Sequence, residues 1–187
     1  MQLSCVIHGC GDLWKNRGCQ QAGWIRRGQL CGSIPAMILA LEFVALFSTA
    51  LFVGAALYVN LVEHPARMEC GTAAAVAEFV PSYRRAVRLQ ASLAILACLC
   101  AFSSWWLGRE LGWLVGTILI GFVGAFTLII MLPTNQKLVD PDLNPSSERA
   151  HALLVLWARL HAVRTVCSLA ALLIFLVAAI AHLRPRG

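Results

Sequence analysis

The 187 residues are 59% hydrophobic and only 13% charged, with a mean hydropathy of +0.74, where a soluble domain carries about 25% charged residues. This composition excludes a soluble globular enzyme and leaves room for one membrane domain without a large appended module. The formal net charge is +6, but the basic residues flank apolar runs and do not interleave with aromatics, so they read as interfacial anchors and not as a nucleic-acid surface.

Residues 1–35 have neither helical nor strand periodicity and lack the apolar core of a cleaved signal. They read as a disordered leader or, with Met37 standing directly before a strong apolar run, as a mis-assigned start. Four of the eight cysteines, Cys5, Cys10, Cys19 and Cys31, fall in this leader at spacings that match no zinc pattern. Cys98, Cys100 and Cys167 fall inside apolar runs, where a thiol behaves as a small apolar residue.

The first span is expected over 37–62, because 43–59 has no charge and about 20 apolar residues cross the hydrocarbon core. Glu42 near its entry reads as an interfacial carboxylate that snorkels. The span ends in Tyr58-Val-Asn-Leu-Val-Glu-His-Pro-Ala-Arg67, with Pro65 ending or kinking the helix. The alanine-rich stretch 68–82 predicts a short surface helix stopped by Pro81.

A second span is expected over 89–107, closed by Trp105 and Trp106 in the position of an aromatic belt. The short turn Gly108-Arg109-Glu110 makes the third span, 111–132, its antiparallel neighbour. Gly112, Gly116 and Gly121 on that span suit close helix packing. Asn144-Pro145 predicts an N-cap with proline at the first helical position, and nothing from Ser146 to Leu183 breaks a helix. At about 1.5 Å per residue that run is nearly twice the hydrocarbon thickness, so the spanning part is placed at 165–182 and the first half at or outside the surface.

The expected fold is all-α: an integral, multi-pass, up-down four-helix membrane bundle over 36–183, with a short surface helix between spans 1 and 2 and the bilayer as its main partner. The side of the termini carries seven Lys and Arg and the other side eight; without the leader the count is three against eight. The start site therefore decides the positive-inside argument.

This topology puts two polar sets on one side of the membrane. The first helix supplies Asn60, Glu63 and His64, and the fourth supplies Trp157, His161 and Arg164, spaced by four and three residues and so on one face. Asn135, at the end of the third helix, joins them. The predicted consequence is a pocket among helix ends, against the plainer reading of solvated ends with snorkelling arginines. His182 reads as an incidental tail residue.

Asn-x-x-x-His-Pro in the first helix, Pro-Thr-Asn ending the third and Trp-x-x-x-His-x-x-Arg in the fourth together resemble the anthrone oxygenase-like family of small four-span membrane proteins, over about 37–183. Many bacterial members of that family are labelled only as a domain of unknown function. The resemblance implies an O2-dependent monooxygenase that converts the activated methylene of a tricyclic anthrone into a ketone, with O2 as co-substrate and without flavin, haem or tightly held metal.

Such chemistry needs a base and a group for the developing oxyanion. His64 or His161 suits the first role and Arg164 the second. Asn60 and Asn135 suit substrate orientation, and Trp157 suits stacking on a flat apolar substrate that enters from the lipid. A competing reading makes His64, His161 and Glu63 a two-histidine, one-carboxylate metal set. The alternative from another class is a non-catalytic bundle that assembles with a partner, or with copies of itself, through Gly112, Gly116 and Gly121. No Walker loop, dinucleotide glycine signature, HExxH or nucleophile elbow is present, which disfavours nucleotide hydrolysis and common hydrolytic chemistries.

Overall fold

The computed structural model describes residues 11–183, with side chains from 34 to 182. Two compact units divide the chain, Met1–Leu39 and Ala40–Gly187. Helix α1 is Gly11–Tyr58, so the leader, expected without regular structure, is helical from Gly11. Once a helix is nucleated, each added residue gains a hydrogen bond, and extension does not need an amphipathic pattern. The leader cysteines lie outside the residues whose side chains are described.

In the second unit α1 runs into a π-helical turn at Val59–Glu63 and then α2, His64–Glu69. There follow α3, Thr72–Gly108, and α4, Leu111–Phe126. A second π turn at Thr127–Met131 leads into α5, Leu132–Leu138, and the chain ends in α6, Glu148–Leu183. Grouped with their continuations they form four helices long and apolar enough to cross a membrane: Ile34–Glu69, Thr72–Gly108, Leu111–Leu138 and Glu148–His182. The expected four-helix, all-α architecture is the one observed, and its outward faces carry large apolar side chains such as Phe43, Leu61, Ile118, Leu128, Val166 and Val177. An apolar exterior of this kind suits acyl chains, not water.

The surface helix expected over 68–82 is absent as a separate element. From Thr72 this stretch forms the first turns of α3, and Pro81 lies inside that helix. Proline removes one backbone hydrogen bond, but in an apolar medium the surrounding peptide groups find no water to pair with, so continuing the helix is the favoured state. The reversal before α3 sits at Gly71, whose φ of 90° favours glycine. The other reversal places Arg109 in the left-handed region, with its N–H on the Trp105 carbonyl at 2.7 Å and its guanidinium over the Trp106 ring.

The start of α6 also differs from expectation. The Asn144 side chain accepts the Ser146 N–H in a local turn, and Ser147 Oγ accepts the Ala150 N–H at 3.1 Å. Ser147, not Asn144, therefore caps α6. Asn144 satisfies its own turn two residues on, which competes with the cap.

The first half of α6 is packed and does not stand free. Ala150, Leu154 and Trp157 share a core with Ala75, Val76 and Phe79 of α3, Met131 of the second π turn and Leu138 of α5. Further along, Trp113 of α4 stacks on Phe175 of α6 with centroids 5.0 Å apart.

The glycine track of α4 is used here, inside the chain. A Cβ on Gly112 would lie 2.7 Å from the Ala178 Cβ, and one on Gly116 would lie 2.2 Å from the Phe175 ring. The expected use of Gly112 and Gly116 in self-association is thereby corrected, because α6 already occupies their surface. Gly121 faces open space.

Candidate functional site

Each of the two π turns is followed, two residues on, by a proline: Val59–Glu63 by Pro65 and Thr127–Met131 by Pro133. Proline cannot donate to the preceding turn, and a widened turn accommodates the loss without ending the helix. Pro65 therefore does not terminate the first membrane helix, which continues to Glu69. The bulges also aim side chains: Asn60 lies in the first, and Asn135 follows the second.

Asn60 meets α6. Its Nδ2 donates to Thr165 Oγ1 at 2.6 Å, which turns its Oδ1 towards His161 Nδ1 at 2.9 Å. That oxygen can only accept, so His161 carries its proton on Nδ1 and presents a lone pair at Nε2. Arg164 Nη2 donates to this Nε2 at 2.8 Å and also to Gln90 Oε1 of α3. Thr165 Oγ1 closes the network on the His161 carbonyl at 2.9 Å. His161 and Arg164 are 2% and 8% exposed, so a connected, directional network replaces water around both.

Trp157 stands one turn before His161 and stacks on it, with ring centroids 4.7 Å apart. The indole N–H donates to Asn135 Oδ1 at 2.8 Å, and Phe79 meets the ring edge-on at 5.2 Å. Trp157 is thus held by ring contacts and at its polar end.

Asn135, Trp157, His161 and Arg164 all line one small cavity of about 50 Å³, together with Glu63, Arg67, Phe79, Tyr83 and Gln90. Asn60 and His64 stand behind its wall. Asn60 reaches the cavity through His161, and His64 packs on Trp157 with centroids 5.3 Å apart, its Nδ1 buried without a hydrogen-bond partner.

Glu63 lines the cavity, and its neighbour His64 does not. It accepts from Ser82 Oγ at 2.8 Å and pairs with Arg67, whose Nε lies 2.7 Å from Glu78 Oε2. Among the described residues no three His, Cys, Asp or Glu side chains converge as a ligand set. Glu63, His64 and His161 in particular are not so arranged, since both His161 nitrogens are engaged by Asn60 and Arg164.

Gln90, Thr165 and Arg67 belong to this site but were not singled out from the sequence. Gln90 carried a readable signal, as the one amide side chain in an otherwise apolar span. Thr165 carried none, because a threonine in a membrane helix ordinarily bonds its own backbone.

The sequence profile described as anthrone oxygenase matches residues 79–174, just over half of the 187 residues. The chain belongs to the anthrone oxygenase family. The segment matched to this family holds Phe79, Gln90, Asn135, Trp157, His161, Arg164 and Thr165, while Asn60 and His64 precede it. Comparison with curated proteins and with solved structures returned no match.

A second polar cluster lies on α1, α3 and α6, around Glu42. Expected to snorkel, Glu42 is instead 3% exposed, accepting from Ser104 Oγ at 3.1 Å and from His182 Nδ1, which is 3.0 Å from both carboxylate oxygens. His182 is therefore a partner and not an incidental tail residue; the returning α6 brings it to α1 across 140 positions. His182→Ala is expected to lower the Tm in detergent, and adding Glu42→Gln to recover most of the loss, because a neutral amide tolerates burial better than an unpaired carboxylate. A further fall on adding Glu42→Gln would contradict this account.

Proposed function

We propose that this membrane protein oxidises a flat polycyclic aromatic or phenolic substrate with O2, converting an activated methylene into a ketone. The observation that carries the reading is the junction of His161 and Arg164 in the cavity wall. A base with a fixed tautomer and a permanent cation lie 2.8 Å apart.

In this reading the substrate lies against Trp157 with its carbonyl oxygen at Arg164, whose buried Nε–H has no partner among the described residues. When the substrate oxygen takes over the Arg164 Nη2–H donor, the His161 Nε2 lone pair is released and takes one proton from the methylene. Transfer within the site conserves net charge and leaves the enolate between imidazolium and guanidinium, an arrangement that favours the charged pair. Asn60 holds the Nδ1–H and so keeps Nε2 as the accepting atom, the role of an orienting third group.

The enolate gives one electron to O2, and the resulting radical and superoxide combine at the former methylene carbon. Loss of the second C–H proton with cleavage of the O–O bond yields the ketone and water, so CH2 and O2 become C=O and H2O. O2 accepts all the electrons, and no resident cofactor is required in this scheme. His64 steadies Trp157 and does not touch the substrate.

Full-length protein in nanodiscs should consume one O2 per anthrone oxidised to anthraquinone. If the His64→Ala/His161→Ala double variant turned over at the parent rate while remaining folded, the proposal would be wrong.

A further inference from the structure

The inner cavity has a neighbour. Between α3 and α4 lies a cleft of about 260 Å³, open on its outer side and floored by Phe52 and Arg164. It shares Val87, Gln90, Thr127 and Arg164 with the cavity. Its volume lies just under the usual range of small-molecule sites, about 300–1,000 Å³, so a ligand would fill it and extend through its open side.

Small side chains make the gap: α3 presents Ala91 and Ala94, and α4 presents Gly124. A Cβ on Gly124 would meet nothing within 4 Å, so the glycine does not serve close packing as Gly116 does. Ile95 and Leu128, also in the lining, are 60% and 68% exposed on spans of membrane length. The mouth therefore faces acyl chains. Thr127 spends its hydroxyl on the Val123 carbonyl at 2.7 Å and offers only its methyl group.

Polarity is thus confined to the deep end, at Arg164 and Gln90. One face of Arg164 is covered, with the guanidinium 5.3 Å from the centroid of the Phe52 ring. One Arg164 terminal nitrogen is bound to His161 and Gln90, and its Nε–H, buried, has no partner among the described residues. A slot that is apolar along its length with an unpaired cationic donor at its inner end suits a planar, lipid-soluble molecule with an oxygen at one edge.

We propose that this cleft is the lateral entrance and outer half of the binding site for planar aromatic ketones, which arrive from the bilayer edge-first and bring their oxygen to Arg164. Ala91 and Gly124 set the width of the ring system admitted. The assignment rests on the preceding functional reading for its substrate class, but it concerns binding and not oxidation.

The test uses full-length protein in nanodiscs, with 9,10-anthraquinone binding followed by quenching of the native tryptophans and anthrone oxidation followed by O2 uptake. Gly124→Phe should raise the anthraquinone Kd and lower kcat/KM by about tenfold or more, whereas Gly121→Phe, one turn away and equally open, should change neither beyond about twofold. Ala91→Leu, on the exposed face of α3, provides a second probe if Gly124→Phe does not fold. It should weaken anthraquinone binding more than 1,4-naphthoquinone binding.

Parent protein that binds anthraquinone, loses it on Gly124→Phe and yet consumes no O2 supports the cleft and overturns the oxidation. Oxidation unaffected by both Gly124→Phe and Ala91→Leu overturns the cleft and leaves the oxidation standing. Absence of anthraquinone binding to the parent overturns the cleft.

Discussion

Replacing His161 with alanine is expected to lower anthrone oxidation by about 10²- to 10³-fold, the usual worth of a positioned general base. The loss should appear in kcat more than in KM, because Trp157 and Arg164 remain to bind the ring system. The side chain is 2% exposed and engages Asn60 and Arg164 through its two ring nitrogens, so a fall in stability will accompany the change and must be separated from it.

His161→Gln makes that separation. Glutamine can pair with both neighbours but is not basic, so it should recover thermal stability and not rate. His64→Ala should cost much less activity than His161→Ala, since His64 reaches the cavity only by packing on Trp157. A His64→Ala variant as inactive as His161→Ala, both stably folded, would reassign the base.

Gly116→Leu should destabilise the bundle by at least about 3 kcal/mol, beyond the ordinary cost of an overpacked core. Even a methyl group there would fall 2.2 Å from the Phe175 ring. That ring cannot yield easily, being fully buried and stacked on the fully buried Trp113. Gly121→Leu, with nothing within 4 Å of the new Cβ, should stay within about 0.5 kcal/mol of the parent.

Thermal unfolding in detergent gives the comparison directly. A track devoted to self-association would behave differently: both variants would keep the monomer stable and change its oligomeric state by size-exclusion chromatography with light scattering.

These two expectations mark how far the sequence could be read. Asn60, Trp157, His161 and Arg164 were visible because polar groups are rare in membrane helices and those on one face follow a 3.6-residue period. His64 had the same signal as His161, and nothing in the spacing distinguishes a residue on the cavity wall from one behind it. The π turn at Val59–Glu63 makes the difference, since it changes the rotation between Asn60 and the residues after it.

Glu42 and His182 were misread for a related cause. Their pairing joins helices far apart in sequence, and each residue alone resembles an ordinary end of a span. The glycines of α4 announced close packing without naming the partner, because a small-residue track fits a neighbouring helix in the same chain as well as one in another.

What the sequence by itself determined is the apolar surroundings, the helix count and the common end of the bundle shared by Asn60, Asn135, Trp157, His161 and Arg164, since each follows from hydropathy and from one helical period. The continuation of α3 through Pro81, the capping of α6 at Ser147, the fixed tautomer of His161 and the meeting of cavity and cleft at Arg164 were decided only by tertiary structure. They depend on which groups face each other across helices, and no local pattern along the chain encodes that.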